Sequence, residues 1–422
     1  MNEEQDFLVS EANRCLLCKN PRCQNKCPIN TAIPQVIKLF REGELDKAGE
    51  LLFKNNPLSA VCSIICPHEN QCKGNCIMGI KGEPIEFYEI EEFISNKYIR
   101  NLNLKPEADL EDRIAIVGSG PAGMTVAFIL AQKGYKVTMF EKNEKIGGVL
   151  RYGIPEFRLP KNILDKYQEL LIQLGVKIRP NTLIGPVLTI DKLFEDGYKA
   201  IFIGTGVWNQ RTLNIKGESL GHVHYAIDYL KSPSVYNLGK RVIVIGAGNT
   251  AMDSARTAKR LGAEDVTIFY RKDFESMSDT KHEIQETQED GVKFQLYRVP
   301  VEITDNGIIF RETEKIVDED GKTKFIEKEG TETLYECDSV LIAVGQAPKN
   351  VIVVNNAGFM TNNKGLLVTY KGQTTRQGVF ASGDVVTGQR TVVEAVANAK
   401  EVAESMDEYC KNLRLFNRNT SA

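Results

Sequence analysis

The stretch Ile114-Ala-Ile-Val-Gly-Ser-Gly-Pro-Ala-Gly123 decides the fold of the chain's central region. Its first four residues are apolar and predict a buried strand, and its three glycines have the spacing of a tight strand-to-helix turn. The surrounding sequence predicts a helix from Ala122 to Lys133 and a second strand from Lys136 to Phe140. This strand–helix–strand unit predicts a parallel sheet and therefore an α/β fold.

The same pattern occurs again further along the chain. Arg241–Ile245 predicts a strand, Thr250–Leu261 a helix, and Val266–Tyr270 the next strand. The turn between the first strand and the helix is Gly246-Ala247-Gly248-Asn249-Thr250-Ala251, in which alanine replaces the last glycine of the pattern. The chain therefore contains two βαβ units, which predict two Rossmann-like domains.

Each turn is expected to hold a dinucleotide pyrophosphate, because glycines let the backbone approach it and the helix amino terminus offers free N–H groups. In the first unit, Glu141 lies 18 residues after Gly123 and is expected to bind a ribose. In the second unit, Arg271 and Lys272 take the corresponding place and favour the 2′-phosphate of NADPH, although a solvated basic pair is the alternative. The two sites together predict FAD and NAD(P)H.

A third motif, near the carboxyl terminus, supports the flavin prediction. Val379-Phe-Ala-Ser-Gly-Asp384 resembles the strand-Gly-Asp signature of two-dinucleotide flavoproteins, in which the Asp binds the flavin ribitol. Gly383-Asp384 alone could equally be a turn. A helix that starts near Thr391-Val392 and continues through Ala399 would direct its positive end at the flavin ring.

Composition excludes several classes of protein. The chain has 422 residues, 42% of them hydrophobic and 26% charged, with a net charge of −3. This balance argues against disorder and gives no general electrostatic case for binding nucleic acid or an acidic membrane. The acidic start Met1–Ser10 lacks the pattern of a signal peptide, and the most apolar window, Ile114–Ala131, is interrupted by glycines and a proline. We expect a cytoplasmic protein that binds neither nucleic acid nor membranes.

Eight of the 10 cysteines fall into two sets near the amino terminus. The first, Cys15-x2-Cys18-x4-Cys23-x3-Cys27-Pro28, differs from the bacterial ferredoxin run by two residues added in the middle gap. The second is Cys62-x3-Cys66-Pro67-x4-Cys72-x3-Cys76. Two structural zinc sites are one interpretation. A hydride donor paired with a flavin requires a one-electron outlet, however, and this favours iron–sulfur clusters. The isolated Cys337 and Cys410 are expected to be buried rather than redox-active.

Taken together, these motifs resemble the family of the small (beta) subunit of bacterial glutamate synthase. The amino-terminal electron-input half of dihydropyrimidine dehydrogenase is similar, as is the large subunit of the ferredoxin-dependent NAD/NADP transhydrogenase. The resemblance covers nearly the whole chain and includes, beside the cysteine sets and glycine-rich turns, the motifs Asn56-Pro-Leu58, Phe140-Glu-Lys142, Gly147-Gly148, Ile154-Pro-Glu-Phe-Arg-Leu-Pro160, Met252-Asp253, Tyr270-Arg271 and Gly383-Asp384.

The resemblance implies an α/β fold with an amino-terminal all-α iron–sulfur domain and two Rossmann-like domains, one inserted in the other. Residues 1–105 would form a helical domain with two [4Fe–4S] clusters, and residues 110–235 and 340–422 would bind FAD. Residues 236–339 would form the inserted NAD(P)H-binding domain.

The resemblance also implies how the clusters are held, with the two cysteine sets interleaved. One cluster would take four thiolates, those of Cys15, Cys18, Cys23 and Cys76. The other would take three thiolates and a carboxylate, those of Cys27, Cys66, Cys72 and Glu91. Cys62 would then be a spare thiol, although its spacing alone makes it a ligand.

Further residues are implied to contact the nucleotides. Those expected around the flavin are Gly118, Gly120, Ala122, Gly123, Glu141, Lys142, Gly148, Val149, Arg158, Leu183, Gly383, Asp384, Thr391 and Val392. Arg158 is the candidate catalytic group, expected to stabilise the reduced flavin anion. Those expected around the nicotinamide nucleotide are Ala247, Gly248, Asn249, Thr250, Arg271, Lys272 and Gly345. Some relatives carry a further arginine where this chain has Ser278, which weakens the NADPH preference.

The expected function is that of an electron-input subunit. It would pass electrons from NAD(P)H through FAD and the clusters to a partner such as the glutamate synthase large subunit. The alternatives are a dihydropyrimidine dehydrogenase small subunit and a stand-alone NAD(P)H oxidoreductase with a ferredoxin-type acceptor.

Overall fold

The structure, a computed structural model, describes residues 3–277, 280–318 and 320–420. Its amino-terminal region is all-helical, and short 3-10 segments lie between residues 68 and 80. Apolar residues at helical spacing form its core; on the third helix they are Ile33, Val36 and Ile37. The helices of this region are α1 Glu3–Arg14, α2 Arg22–Lys26, α3 Ile33–Arg41, α4 Leu45–Asn55, α5 Ser59–Ile65 and α6 Phe87–Asn101.

An α/β region follows and contains the first predicted βαβ unit. Its strands are β1 Arg113–Val117, β2 Lys136–Phe140, β3 Lys177–Arg179 and β4 Tyr198–Ile203. Its helices are α7 Pro121–Gln132, α8 Val149–Tyr152, α9 Lys161–Gln173 and α10 Ile190–Glu195. Strands β1 and β2 are buried at every residue after the exposed Arg113 and Lys136 because helices cover such a sheet on both faces.

The next region contains the second βαβ unit and an antiparallel sheet. Its helices are α11 Ala226–Lys231, α12 Asn249–Arg260 and α13 Lys281–Glu289. Its strands are β5 Asn209–Gln210, β6 Val223–Tyr225, β7 Arg241–Ile245, β8 Asp265–Tyr270, β9 Lys293–Leu296, β10 Arg298–Thr304, β11 Gly307–Val317, β12 Thr323–Glu327, β13 Thr333–Glu336, β14 Ser339–Ile342 and β15 Gln346–Ala347.

The carboxyl-terminal region returns to the first sheet and ends in a long helix. Its elements are α14 Val351–Asn355, β16 Thr369–Tyr370, β17 Gln373–Thr374, β18 Val379–Ala381, α15 Asp384–Thr387 and α16 Val392–Thr420. Strand β18 pairs in parallel with β4. One seven-stranded sheet therefore has the order β16-β17-β18-β4-β1-β2-β3.

The second α/β sheet has five parallel strands in the order β6-β14-β7-β8-β9. Strands β10 to β13 form a separate antiparallel sheet. Each parallel sheet carries one of the predicted glycine-rich turns, after β1 and after β7. The predicted fold class, an α/β protein with an amino-terminal helical domain, is confirmed.

The described chain forms two compact units. One contains the residues up to Arg151, Glu156–Val207 and the residues from Pro348 onward, and the other contains Tyr152–Pro155 and Trp208–Ala347. The sequence placed the start of the inserted region at residue 236. The compact second unit includes the chain from Trp208, because β6 pairs with β14 and β5 with β15. The bounds of the nucleotide-binding domains remain predictions.

In the first unit the helical region packs directly on the first α/β region. Phe53 of α4 contacts Phe128 of α7 edge-on, with ring centroids 5.7 Å apart, and Phe128 contacts Tyr167 of α9 at 5.9 Å. Phe128 and Tyr167 are fully buried. This apolar junction fixes the cysteine-rich helices against the first nucleotide fold. In the described part of the chain, no helix combines the length and apolarity that a membrane crossing requires.

Candidate flavin, nucleotide and iron–sulfur sites

The first glycine-rich turn connects β1 to α7 as predicted. Gly118 has a φ of +97°, and a Cβ there would lie 2.6 Å from the carbonyl oxygen of Gly204. A Cβ on Gly123 would lie 2.0 Å from the carbonyl oxygen of Gly118. Neither position can accept a side chain, so the turn brings bare backbone to the amino end of α7. This is the geometry that a pyrophosphate requires.

Glu141 follows β2 and lies beside this turn. Its carboxylate accepts hydrogen bonds from the Ser119 amide at 3.1 Å and the Ser119 hydroxyl at 2.5 Å. It also accepts from the Asn143 amide at 2.8 Å. Glu141 is buried, so these donors hold its carboxylate at the strand end predicted to face a ribose. Sequence reasoning did not identify Ser119 or Asn143 as its partners.

A second glycine loop packs against the first. Gly148 has a φ of +53°, and a Cβ on it would lie 2.7 Å from the Cα of Gly120. The Gly147 amide donates to the Ser119 carbonyl at 3.0 Å. Val149 then begins α8. The structure thus brings Gly148 and Val149 to the turn with which they were predicted to act.

The Gly383-Asp384 motif also meets the first turn. Gly383 has a φ of +76°, and a Cβ on it would lie 3.2 Å from the Cβ of Ala122 in the first turn of α7. Asp384 accepts a hydrogen bond from the Arg390 amide at 3.3 Å. Burial raises the pKa of the Asp384 carboxyl to about 7. A carboxyl in this state suits a partner that donates hydroxyl groups to it, as the ribitol of a flavin does.

Thr391 caps the long helix α16. Its hydroxyl donates to the Glu394 carboxylate at 2.7 Å and accepts from the Glu394 amide at 3.3 Å. The Thr391 amide donates to the same carboxylate at 3.0 Å. This reciprocal capping box fixes the helix start at Val392, where the sequence predicted it.

Three further residues predicted near the flavin, Arg158, Lys142 and Leu183, are exposed or half-buried. Arg158 is half-buried in the turn before α9, and Lys142 is exposed after β2. Leu183 is 50% exposed in the loop after β3. Their contacts with a flavin, including the predicted catalytic role of Arg158, remain predictions.

The second glycine-rich turn connects β7 to α12. Gly246 has a φ of +127°, and a Cβ there would lie 2.3 Å from the carbonyl oxygen of Ala343. Asn249 begins α12 and Gly248 is its cap residue. The end of β14 therefore adjoins the turn, and the predicted segment that ends at Gly345 belongs to the same corner of the sheet.

The basic pair predicted to choose between NADPH and NADH follows β8. Arg271 is exposed, and its carbonyl oxygen accepts from the Thr313 hydroxyl at 2.7 Å. Lys272 is half-buried, with its ammonium group 5.9 Å from the centre of the Phe325 ring. Arg271 therefore has the more accessible cation of the pair. Ser278, where some relatives carry arginine, lies outside the described residues.

The first group of thiols gathers as the resemblance implied. Burial raises the pKa of Cys15, and its neighbours Cys76 and Cys18 raise it further. Burial raises the pKa of Cys23 to about 11, and the nearby thiols of Cys76, Cys15 and Cys18 add to this effect. The thiols of Cys18 and Cys76 therefore lie near those of Cys15 and Cys23, although Cys76 is far from the others in sequence.

The second group surrounds a cavity. Its wall includes Cys27, Cys62, Cys66, Cys72 and Glu91, and the space, with its open mouth, measures about 340 Å³. Burial raises the pKa of Glu91 to about 8. Burial, followed by the nearby carboxylate of Glu91, raises the pKa of Cys72. A hydrogen bond with Cys62, together with burial, raises the pKa of Cys66.

The donors around this cavity fit a [4Fe–4S] cluster. The set that the resemblance implies, three thiols and a carboxyl, would provide four ligands, one for each iron of such a cluster. The raised pKa values of Cys66, Cys72 and Glu91 mean that burial disfavours their charged forms, which bound iron would stabilise. In the described residues, no group of three or more His, Cys, Asp or Glu side chains is arranged to hold a single metal ion.

Sequence reasoning missed other residues of the cavity wall. They are Ile29, Thr31, Ile33, Asn56, His68, Gln71, Phe87 and Val393. The cysteine spacing could have pointed to Ile29 and Thr31, which lie within four residues after Cys27. No local signal could identify Val393, because it lies over 300 residues away from the thiols in sequence.

The two cysteines outside the sets are buried as expected. Cys337 is 4% exposed and Cys410 is 1% exposed. Burial raises the pKa of each thiol to about 12. Both therefore remain protonated at neutral pH and pack as small apolar side chains.

Comparison with known families agrees with this geometry. Residues 112–401 match the family described as pyridine nucleotide-disulphide oxidoreductase. Residues 2–102 match the family described as dihydropyrimidine dehydrogenase domain II, 4Fe-4S cluster. The two matches divide the chain at the junction between its helical and α/β regions.

Individual relatives extend over nearly the whole chain. The glutamate synthase [NADPH] small chain of Halomonas elongata is 33% identical, over 95% of this chain and 90% of its own. The NAD-dependent dihydropyrimidine dehydrogenase subunit PreT homolog of Salmonella typhi is 30% identical, over 95% of this chain and 94% of its own.

Among solved structures, Mycobacterium tuberculosis FprA in complex with NADPH superposes with a TM-score of 0.62 and 18% identity, covering 72% of this chain and 86% of FprA. At that identity the likeness concerns the fold alone. The sequence relatives and the family matches carry the assignment, and they confirm the family resemblance given by the motifs. The chain is an oxidoreductase that belongs to the pyridine nucleotide-disulphide oxidoreductase family, with the amino-terminal 4Fe-4S domain that glutamate synthase small chains share.

Proposed function

We propose that this protein is the electron-input subunit of a larger enzyme and passes electrons from NADPH through FAD and two [4Fe–4S] clusters to a partner. Bound FAD and clusters would supply the conversion of a two-electron hydride into single electrons. The chain itself binds, orients and insulates these groups.

One observation carries the proposal, namely that a single helix serves both predicted centres. The capped start of α16 follows the Gly383-Asp384 motif of the flavin site. The second residue of the helix, Val393, lines the cavity that Cys27, Cys66 and Cys72 surround. The first residues of α16 therefore connect the predicted flavin motif to the wall of the predicted cluster cavity, and this supports electron transfer between the two.

The residues of the first unit would divide the work of holding FAD. The turn at Gly118, Gly120 and Gly123 would bind the pyrophosphate, and Glu141 would bind the adenosine ribose. Asp384 would accept hydrogen bonds from the ribitol. Burial raises the pKa of its carboxyl, and hydroxyl donors would compensate the ionised form for the water it has lost. Arg158 and the positive end of α16 would stabilise negative charge on the flavin ring.

The second unit would bind the nicotinamide nucleotide. The turn at residues 246–251 would hold its pyrophosphate, with Gly345 at the same corner. Arg271 would attract the 2′-phosphate of NADPH because its guanidinium is exposed beyond the end of β8. Lys272, held against Phe325, would contribute to the positive field rather than to a direct contact.

Two clusters would be bound by the two groups of side chains. Cys15, Cys18, Cys23 and Cys76 would hold the first cluster. For the second, Glu91 would replace a fourth thiolate, because it is a buried carboxyl beside Cys72 and Cys66.

The partner and the setting follow from the relatives. Relatives over nearly the full length include small chains of glutamate synthase, which supports a glutamate synthase large subunit or a similar cytoplasmic acceptor protein as the partner. The match to a PreT homolog supports a second candidate, a dihydropyrimidine dehydrogenase subunit. Pull-down of the tagged protein from its native organism distinguishes them by the stoichiometric partner recovered.

Anaerobic purification followed by reduction tests the central proposal. We expect one FAD and close to eight iron and eight sulfide per chain by chemical analysis, as two [4Fe–4S] clusters require. NADPH should bleach the flavin band and produce cluster signals in electron paramagnetic resonance. Stoichiometric zinc without sulfide, or flavin bleaching with no cluster signal, would contradict the proposal.

A further inference from the structure

A chain of hydrogen bonds connects the long helix α16 to the thiol of Cys27. The Lys400 ammonium group donates to the Asn55 side-chain oxygen at 3.0 Å and to the Asn55 backbone carbonyl at 2.5 Å. The Asn55 side-chain nitrogen donates to the Thr31 hydroxyl at 3.4 Å. The Thr31 hydroxyl lies 3.4 Å from the Cys27 sulfur. The chain of hydrogen bonds thus joins α16 and the end of α4 to the segment that contains Cys27 and Thr31.

Chemistry fixes the direction of the bonds from Lys400 to Asn55 and from Asn55 to Thr31, and it also fixes the last bond when Cys27 is a thiolate. An ammonium group can only donate, so the Asn55 oxygen must face Lys400. The Asn55 nitrogen also donates to the Ile29 carbonyl at 3.2 Å, and this confirms the orientation of the amide. Because Thr31 accepts from Asn55, its own proton is available for Cys27. A thiolate can only accept, so a Cys27 that binds iron receives this proton's hydrogen bond.

The surroundings strengthen the electrostatic effect of this chain. Thr31 is 4% exposed, and both Thr31 and Cys27 line the second cavity. Lys400 is half-buried and lies close enough to Cys27 to interact with it electrostatically. Hydrogen bonds aligned head to tail in a poorly solvated region polarise one another, and their positive ends all point toward the sulfur.

Positive potential at a ligand sulfur stabilises the cluster state that carries one more electron. Hydrogen bonds to the sulfurs and the net charge nearby are among the factors that set cluster potentials. The first thiol group has a cation near it too, Arg41 beside Cys15, whereas Lys400 reaches Cys27 through the hydrogen bonds of Asn55 and Thr31.

We propose that the Lys400–Asn55–Thr31 chain raises the reduction potential of the cluster bound by Cys27, and so makes that cluster the preferred acceptor of electrons from the flavin side. The inference rests on the proposed function, since it requires a cluster at this cavity. Thr31 and Lys400 act through Cys27 and are positioning residues.

The test is a potentiometric titration of the anaerobically purified holoprotein, followed by electron paramagnetic resonance. Thr31→Val keeps the side-chain shape but removes the hydroxyl. We expect it to make reduction of one cluster about tenfold less favourable, a shift of about 59 mV to lower potential for one electron. The other cluster should keep its potential. Thr31→Ser retains the hydroxyl and should stay close to the wild-type value.

Lys400→Met supplies an independent measurement, because Lys400 lies on α16 and joins the series of hydrogen bonds at the end opposite Thr31. It should shift the same cluster in the same direction. The double variant should shift it by less than the sum, since both changes act through one set of bonds. Lys411→Met removes an exposed lysine from the same helix, and Thr287→Val removes a buried hydroxyl from the second unit; both should leave the potentials unchanged.

The outcomes separate this inference from the proposed function. Wild-type protein without cluster signals would contradict the proposed function. Intact signals from both clusters, with potentials unmoved in Thr31→Val and Lys400→Met, would overturn the inference alone. Equal shifts of both clusters would also overturn it, because the chain ends at a single ligand.

Discussion

Asp384 is half-buried and belongs to the motif that is predicted to bind the flavin ribitol. Its pKa is raised to about 7, with burial as the main cause. A carboxyl whose folded pKa exceeds its unfolded value stabilises the fold fully below the unfolded value, and this contribution is lost as the pH rises through the folded pKa. In flavin-free protein, ionised Asp384 is therefore a destabilising group above pH 7.

We predict that Asp384→Asn stabilises the flavin-free protein at pH 8, because the neutral amide avoids the cost of burying a charge. The melting temperature should rise by at least about 2 °C at pH 8 and by less at pH 5. FAD affinity should fall at least tenfold, as measured by fluorescence titration. Asp109→Asn is the control, since Asp109 is exposed and should change neither quantity. A stabilisation equal at both pH values would contradict the explanation.

Cys62 lies in the wall of the second cavity and forms a hydrogen bond with Cys66. We predict that Cys62→Ala retains both clusters, because Cys27, Cys66, Cys72 and Glu91 complete the ligand set without it. Iron analysis should give the wild-type content. Cys66→Ala is the matched comparison and should lose about half the iron. Loss of iron from Cys62→Ala would make Cys62 a ligand instead.

Arg271 allows a test of nucleotide choice. We predict that Arg271→Ala lowers kcat/KM for NADPH at least tenfold, while kcat/KM for NADH changes less than twofold. The reason is that the guanidinium would contact only the 2′-phosphate. Stopped-flow flavin reduction with each nucleotide measures the effect. Lys293→Ala, which removes an exposed cation from the amino end of the adjacent strand β9, should alter neither rate. Equal losses with both nucleotides would remove this role from Arg271.

At the scale of elements, α16 is joined to α7 by a buried polar cluster. Asp407 of α16 accepts hydrogen bonds from Lys133 at 2.7 Å, from the Tyr135 hydroxyl at 2.7 Å and from Lys411 at 2.9 Å. Burial alone would raise the pKa of Asp407. The hydrogen bonds outweigh it and lower that pKa to about 2. The carboxylate therefore stabilises the packing of α16 on α7 at neutral pH.

We predict that Asp407→Asn lowers the free energy of unfolding by about 2 kcal/mol at pH 7, because each pKa unit corresponds to about 1.4 kcal/mol. A lowered pKa gives stability that is present above the unfolded value and is lost as the pH falls toward the folded value. The difference from wild type, measured by urea denaturation, should therefore shrink below about pH 4. Glu404→Gln, at an exposed partner of Lys133, should cost less than about 1 kcal/mol. A cost independent of pH would contradict the electrostatic explanation.

Local elements were predicted well where one periodicity dominates. The strands at 136–140 and 241–245 have the predicted bounds, and α7 and α12 are each displaced by one residue. By contrast, the helical pattern through Ala399 gave only the start of α16, which continues to Thr420. Its later turns continue the same apolar pattern with the buried Val402, Ala403, Met406 and Cys410, so the prediction stopped short of a signal that the sequence contains.

At the scale of the whole molecule, the sequence predicted the partition into helical and α/β regions. It also predicted the residues of both glycine-rich turns, because each turn is coded by adjacent residues. It missed the antiparallel sheet of β10 to β13, and it did not predict that the compact second unit includes the chain from Trp208. The extent of the unit depends on pairings between distant segments, such as β6 with β14, which no local pattern reports. The antiparallel sheet, by contrast, is built from consecutive strands, and the Asp305-Asn306-Gly307 turn between β10 and β11 is a local hairpin signal that was overlooked.

The candidate cluster sites also contain some residues that the sequence predicted and others that only the fold reveals. The thiols were found by spacing, whereas Thr31, Asn55 and Lys400 were not, because their contacts span as many as 345 positions. The grouping of Cys76 with Cys15 was implied by family resemblance and not by its spacing. Residue identities near a motif are thus accessible from sequence, and the polar environment that tunes them requires the fold.

The position of Val393 in the wall of the second cavity has a consequence for the biosynthesis of the protein. A ribosome makes the chain from its amino terminus, so the four thiols of the cavity wall are translated long before Val393, which completes that wall. Until α16 leaves the exit tunnel, the second cavity lacks part of its wall and Cys27 lacks the ammonium group of Lys400. During this interval the thiols are accessible both to iron donors and to oxidants. A protein truncated before residue 392 would lack this part of the cavity wall, and we expect it not to retain a cluster there.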